Sequence, residues 1–261
     1  MIRILVVTTM NKEGYDAYGK YMVENMRENL NDMDFHVYTE GFVIPGVNCL
    51  DLYKSSPDLK NFIEKHENNP SLRGIMKDGS YNFLYDAVKF AHKVFCIIHA
   101  MEKCHDIYSH VIWLDADTLC LKRVSPEVLV PVLPEEKQIA SYLGREHLGM
   151  YTETGFMCFN VRYDMTRIFA DMWKSVYNDD LFVENPKSFK SGNFDGFTDC
   201  HTFDHVRRMF PQSDFKNLGK NIVSTMMFEA HPILRKYFTH YKGNRKKYIA
   251  SGKPANIVPK R

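Results

Sequence analysis

The chain contains no hydrophobic run longer than a few residues, no CxxC pair, no internal repeat and no low-complexity stretch. Each absence removes a class of protein. Without about 18 consecutive apolar residues, nothing in the sequence reads as a membrane-spanning helix. The opening MIRILVVTTMN has too short an apolar stretch for a signal peptide and no small-residue cleavage site, so it reads as a first strand. The six cysteines (Cys49, Cys96, Cys104, Cys120, Cys158 and Cys200) are scattered. In a chain with this much core they point to reduced thiols rather than a disulfide framework, and a cytoplasmic location is the default expectation. Eleven Pro and 14 Gly are too few for a collagen-like or Pro-rich architecture.

What is present is globular. Hydrophobic residues make up 44% of the 261 and charged residues 25%, which excludes intrinsic disorder. The length allows one large domain or two small ones. The net charge of +2 is unevenly spread. Residues 231–261 hold nine Lys/Arg and no acid, which leaves 25 basic against 32 acidic residues in 1–230. A basic tail on an acidic body suits phosphate, nucleic acid, an anionic lipid surface or plain solubility.

Strand and helix signals alternate, which predicts an α/β fold with a mostly parallel central sheet flanked by helices. IRILVV (2–7) reads as a buried central strand, FHVY (35–38) as a short strand, and HVIWL (110–114), IASYL (139–143) and FMCFNV (156–161) as further strands. Tyr15, Tyr18, Met22, Met26 and Leu30 stand at helical spacing. Residues 58–69 read as a polar helix, and 83–101 carry the clearest helical stripe, from Leu84 to Met101. Asp164 can cap a helix carrying Ile168, Phe169, Met172, Trp173 and Val176. A polar, Gly-containing loop covers roughly 185–200, a short helix follows near 202–210, and the last 30 residues read as mostly irregular.

The chemistry gathers at the end of the 110–114 strand. Four apolar residues, Val111 to Leu114, run straight into Asp115-Ala116-Asp117. In open α/β sheets ligands bind beyond the carboxyl ends of strands. Two acids in such a place need a cation, and Mn²⁺ or Mg²⁺ is the natural candidate, commonly together with substrate phosphates. In an extended strand, side chains at i and i+2 stand roughly 6.5–7 Å apart. Two oxygens on one Mg²⁺-sized ion lie at most about 4.2 Å apart. Either the chain bends at Ala116, or only one Asp ligates directly; Asp117 is the preferred direct ligand, with Asp115 then acting through water or a sugar hydroxyl. The bare DxD is uninformative, since 18 Asp in this chain yield about one by chance. Asp32-Met33-Asp34 is such a match, and it precedes a strand rather than ending one.

A second cluster, His240-Tyr241-Lys242-Gly243-Asn244-Arg245-Lys246, places an imidazole, a Gly and a phosphate-binding cation within seven residues. Glycine lets backbone N–H groups approach phosphates, and lysine acts on them as a point charge. VIWLDADTL followed about 120 residues later by HYKGNRK resembles the metal and diphosphate site of GT-A-fold nucleotide-sugar glycosyltransferases. The similarity is to those related to glycogenin and the bacterial lipopolysaccharide galactosyltransferases. The resemblance implies that Asp115, Asp117 and His240 hold Mn²⁺ (or Mg²⁺) on the donor diphosphate, with Gly243 and Lys246 closing over it. The Pro-Trp that often follows the last Lys in that family is replaced here by Lys247-Tyr248.

The same resemblance implies further roles. Thr8 and Thr9, at the end of the first strand, correspond to the nucleobase and ribose contacts. Gly155 would lie under the donor sugar. Glu153, read as a loop acid before the 156–161 strand, would contact sugar hydroxyls or act as a base. Asp199 would face the sugar, while Asp204 and His201 are weaker candidates that fit equally on a helix surface. Lys89 and Lys93 lie opposite the apolar stripe of their helix, which fits a solvated face. The family often carries a basic residue there, and Lys93 is preferred. The loop 70–82 is a candidate lid.

The implied organisation is a single GT-A-like domain over 1–261. Residues 1–122 form a Rossmann-like nucleotide-sugar-binding half, 123–230 an acceptor and catalytic half, and 231–261 a basic segment closing over the diphosphate. The implied function is metal-dependent transfer of a hexosyl or pentosyl group from a nucleoside-diphosphate sugar, UDP-linked, to a hydroxyl of a glycan or glycoconjugate. No nucleic-acid partner is expected, and the basic C-terminus offers peripheral contact with a membrane surface. The rival readings are a haloacid-dehalogenase-type Mg²⁺ phosphatase, a nucleotidyltransferase and a non-catalytic sugar-nucleotide-binding protein. The phosphatase motif expects Thr four residues after its first Asp, where this chain has Leu119.

Overall fold

The structure is a computed structural model that describes residues 2–251, so the last ten residues of the basic segment expected over 231–261 lie outside the described residues. Its strands are β1 (Ile4–Met10), β2 (Asp34–Thr39), β3 (Cys49–Asp51), β4 (His110–Leu114), β5 (Thr118–Cys120), β6 (Ala140–Leu143), β7 (Glu153–Asn160), β8 (Lys190–Ser191), β9 (Phe194–Asp195), β10 (Phe215–Asn217) and β11 (Phe238–His240). Seven of them form one sheet in the order β10-β6-β7-β4-β1-β2-β3. β1 lies parallel to β2 and β4, β2 to β3, and β6 to β10. β7 alone runs antiparallel, between β4 and β6. The result is a mixed α/β fold with a mostly parallel central sheet.

β1 shows why the sheet forms where it does. Leu5 and Val7 face a core shared with the long helix Ala87–Cys104, and Ile4 and Val6 face the opposite core with the helix Lys20–Asn29. A strand covered on both faces needs apolar residues at every position, which is the unbroken ILVV run. The long helix begins at Ala87, where Asp86 accepts a hydrogen bond from the Lys89 N–H at 3.0 Å and so caps it. Asp164 does not cap its helix. Tyr163 occupies that position without a side-chain bond, and Asp164 sits in the first turn, where a carboxylate suits the helix dipole.

Several boundaries differ from the sequence expectation. β1 continues through Thr8 and Thr9 to Met10. β7 begins at Glu153, so Glu153, Thr154 and Gly155 are strand residues and not a loop. The helix near 202–210 occupies Asp199–Arg207. The C-terminal part is not wholly irregular, because β11 lies within it. Asp32 has a left-handed φ of 55° in the turn before β2 and takes no part in the central cluster. All six cysteines are free thiols. No helix among the described residues is long and apolar enough to cross a membrane.

The helices Asp164–Asn178 and Asp199–Arg207 meet over β7 through aromatic packing. The Trp173 ring centroid lies 5.6 Å from Phe169, 5.7 Å from Phe203 and 6.2 Å from Phe159. Its Nε1 donates to Thr202 Oγ1 at 2.9 Å, so the one polar atom is satisfied. Trp173→Ala removes these contacts together and is expected to cost about 3–5 kcal/mol. The check is a denaturation midpoint that falls while the slope stays unchanged.

Candidate functional site

β4 ends at Leu114, and the chain then turns instead of continuing extended. The Thr118 N–H donates to the Asp115 carbonyl at 3.0 Å, closing a tight turn through Ala116 and Asp117. β5 leaves this turn and pairs antiparallel with β11, setting His240 opposite Thr118. The Tyr241 N–H donates to the Asp117 carbonyl at 2.9 Å and fixes the register. His240 Nε2 thereby stands 3.0 Å from Asp117 Oδ1 and 3.4 Å from Asp115 Oδ2. One ligand atom from each of Asp115, Asp117 and His240 lies within 4.8 Å of the other two. Of the two geometries the sequence allowed, a bend at Ala116 is the one observed.

The two oxygens of Asp115 have different duties. Oδ1 accepts from Lys93 Nζ and from Trp113 Nε1, both at 2.8 Å, while Oδ2 faces the imidazole. Lys93 is buried, not solvated. Its ammonium also contacts Asp199 Oδ2 at 2.8 Å and donates to the Thr154 carbonyl at 2.7 Å and to Thr154 Oγ1 at 3.1 Å. Thr154 Oγ1 in turn donates to Asp199 Oδ2 at 2.5 Å. Burial works against the Lys93 ammonium, but Asp115 and Asp199 on either side raise its pKa above the usual lysine value. Burial likewise disfavours the Asp115 and Asp117 carboxylates. Lys93 and His240 hold Asp115 well below the usual carboxylate range, and His240 and Lys246 lower Asp117.

His240 sits in a fitted slot. A Cβ on Gly155 would lie 2.7 Å from its Cε1 and 2.9 Å from its Nδ1, so glycine at 155 makes room for the imidazole. Phe228 packs against the ring at a centroid distance of 5.4 Å. His240 Nδ1 and Asp117 Oδ1 are buried without an aligned hydrogen-bond partner. Buried polar atoms are ordinarily paired, so Asp117 Oδ1, with only the imidazole Nε2 at 3.0 Å beside it, is open to a cation on the side that Asp115 and Nε2 share. Two carboxylates and an imidazole are a donor set that fits Mn²⁺ or Mg²⁺.

The other expected residues fall around this cluster. Lys246 Nζ lies 3.1 Å from Asp117 Oδ2 and 4.5 Å from the Tyr18 ring centroid. Gly243 has a φ of 63°, the left-handed conformation that favours glycine. Thr8 is buried with an unpartnered Oγ1, whereas the Thr9 hydroxyl donates to the Tyr38 carbonyl at 2.9 Å. Glu153 is buried at the head of β7. Its Oε2 accepts from the Met227 N–H at 2.8 Å, and its Oε1 lies 3.8 Å from both His240 Nδ1 and Lys242 Nζ. Burial would raise its pKa, yet His240, Lys242 and Arg145 hold it down to about 2.

Asp204 and His201 do not lie on a helix surface; both are fully buried. Asp204 accepts from the Thr152 N–H at 3.0 Å, from Thr152 Oγ1 at 2.6 Å and from Ser191 Oγ, and so pins the chain entering β7. His201 Nδ1 pairs with Thr198 Oγ1 at 2.8 Å, and its ring packs on Tyr151. Lys89 is exposed. Sequence reasoning missed Trp113, Thr154 and Tyr18. Trp113 was accessible to it, because a residue two before Asp115 on a strand shares its face. Thr154 and Tyr18 act through contacts across the sheet or along the C-terminal segment, which no local spacing signals. The basic segment turns inward where it is described, with Arg245 Nη2 donating to Glu229 Oε1 at 2.8 Å and Lys246 facing Asp117. That arrangement lends no support to membrane contact through it.

No protein-family model matches this chain, and no curated protein does. Among solved structures it is similar to the bifunctional glycosyltransferase WbbM, with 12% identity and a TM-score of 0.51, over 93% of this chain. The match covers 46% of that protein, so this chain spans less than half its length. Lower overlaps are found with mouse xyloside xylosyltransferase 1 (TM-score 0.47, 12% identity, 83% of this chain and 84% of that one) and with a glycosyltransferase involved in glycosylation of the major capsid of PBCV-1 (0.45, 12%, 95% and 99%). At such identity the likeness is one of fold. The chain shares its α/β fold with that bifunctional glycosyltransferase, and its Asp-Asp-His cluster stands at the carboxyl end of the central strand β4.

Proposed function

We propose that this protein is a divalent-metal-dependent glycosyltransferase that moves a hexosyl or pentosyl group from a nucleoside-diphosphate sugar, UDP-linked, to a hydroxyl of a glycan or glycoconjugate acceptor. The observation that carries the reading is the convergence of Asp115, Asp117, His240 and Lys246 from two distant parts of the chain. Asp115, Asp117 and His240 would hold Mn²⁺ or Mg²⁺. Such an ion, when bound, supplies neutralisation of charge on the leaving diphosphate. Residues 1–122 form the nucleotide-sugar-binding half, 123–230 the acceptor half, and the segment from 231 closes over the diphosphate.

The chain's own groups do the rest. In the reaction the bond from the anomeric carbon to the diphosphate oxygen breaks. A bond to the acceptor oxygen forms, and the acceptor hydroxyl loses its proton. Lys246 offers an ammonium to the diphosphate as its negative charge grows. Gly243 lets backbone N–H groups approach the phosphate oxygens. The free Thr8 hydroxyl, with Thr9 beside it, is assigned to the nucleoside, and Gly155 to the floor beneath the donor. Lys93 bridges Asp115 and Asp199 at 2.8 Å each, with Asp199 facing the donor sugar. The proton passes to Asp199 if configuration inverts, or to the departing diphosphate if it is retained. Glu153 is poorly placed for the base role, because its Oε2 accepts from the Met227 N–H and its buried Oε1 faces His240 and Lys242. The phosphatase alternative needs Asp115 as a free nucleophile, but its Oδ1 is held by Lys93 and Trp113 and its Oδ2 faces His240.

Nucleotide release from a panel of UDP- and GDP-sugars with Mn²⁺, repeated in EDTA, tests the reading. Release indifferent to metal would remove it, and the anomeric proton of the product by NMR gives the stereochemistry. Asp117→Asn is expected to lower metal-stimulated turnover at least ~100-fold with an unchanged circular dichroism spectrum. Gly155→Val should push against the imidazole and weaken Mn²⁺ binding by about tenfold or more, measured by titration calorimetry. Lys93→Met leaves Asp115 and Asp199 facing each other without their cation. It is expected to destabilise the protein by about 3–5 kcal/mol in a denaturant melt.

A further inference from the structure

Glu153 has no part in the reaction as written above, yet it is among the most tightly built groups in the molecule. It is 2% exposed, and a carboxylate buried to that degree needs partners for both its oxygens. Its Oε2 is anchored by the Met227 N–H at 2.8 Å, with Arg145 Nη1 at 3.8 Å. Arg145 is itself fixed, donating to the Tyr151 and Thr225 carbonyls at 2.8 Å each. Only Oε1 is left to face outward from this anchor. It faces His240 Nδ1 at 3.8 Å, with Lys242 Nζ at the same distance.

The imidazole is arranged to match. Its Nε2 points at Asp115 and Asp117, and its Nδ1 is buried without a hydrogen-bond partner. Gly155 and Phe228 pack against the ring. A histidine that binds an ion through one nitrogen ordinarily donates its other N–H to a carboxylate or carbonyl, which sets tautomer and ring orientation. A shift of about 1 Å would bring Glu153 Oε1 to hydrogen-bond distance.

We propose that Glu153 is a positioning residue that accepts the Nδ1–H of His240, so that Nε2 is the nitrogen presented to the ion. The proposal rests on the metal-site reading above and deepens it. It assigns Glu153 neither to the donor sugar nor to proton transfer from the acceptor.

The test measures Mn²⁺ affinity, by electron paramagnetic resonance of free Mn²⁺, in the wild type, Glu153→Gln, His240→Ala and the double variant, all without donor. Glu153→Gln is expected to weaken binding 10–100-fold. In the His240→Ala background the same change should have less than about a threefold effect, because the two residues act as one unit. A merely structural role for Glu153 would give additive losses instead, and that outcome overturns the proposal. Equal affinity in Glu153→Gln and wild type, with His240→Ala impaired, overturns it while leaving the metal site standing. Unimpaired His240→Ala removes the metal-site reading and this proposal together. The ¹⁵N–¹H correlation of the His240 imidazole in the Mg²⁺-loaded wild type gives an answer even where a variant fails to fold. A proton on Nδ1 and none on Nε2 supports the proposal, and the reverse tautomer overturns it.

Discussion

Four carboxylates, Asp115, Asp117, Glu153 and Asp199, are gathered in one poorly hydrated region at the carboxyl end of the sheet, and the surrounding structure is organised to set cations against them. Desolvation opposes the charged form at Asp115, Asp117 and Glu153. The compensation comes from named cations in separate elements: Lys93 from the long helix, Lys246 and Lys242 from the C-terminal segment, Arg145 from the loop after β6, and the His240 imidazole. Burial of negative charge explains why so many long-range contacts meet here and why a lysine is found inside a helix–sheet interface.

The two sides of the cluster differ in kind. On the Lys93 side the ammonium ties Asp199, Thr154 and Asp115 together, and Trp113 joins them through Asp115. On the His240 side polar atoms remain unpaired. The Lys93 half is held by its network, and in the proposed reading the His240 half is where an ion would bind. The division runs through a single residue, Asp115, whose two oxygens belong one to each half.

Much of this could be read from the sequence, and the limits have physical causes. The apolar β4 run ending in two acids announced its place in the sheet, because a strand buried on both faces has a strong compositional signature. The HYKGNRK cluster announced a cation-rich turn. What joins them, the β5–β11 pairing, was invisible. Each strand has three residues, too few for any periodicity, and their partners are about 120 residues apart. Glu153 was misplaced in a loop because β7 starts before its apolar run, with a register irregularity opposite Tyr142 and Leu143. Helical spacing set Lys93 opposite the apolar stripe, and only the family resemblance pointed it at the first Asp of the DxD, which it meets at 2.8 Å. Its partners come from β4, β7 and the helix Asp199–Arg207, and only the tertiary structure brings them to it.

The pairing of β5 with β11 has a consequence for biogenesis. All seven strands of the main sheet lie before residue 218, while His240 and Lys246 come later in synthesis. A nascent chain emerging from the ribosome can therefore assemble its scaffold while the three-donor cluster is still one member short. In the metal-site reading proposed above, competence to coordinate an ion would arise only as the final segment docks, which would make loading a late step in the maturation of the polypeptide.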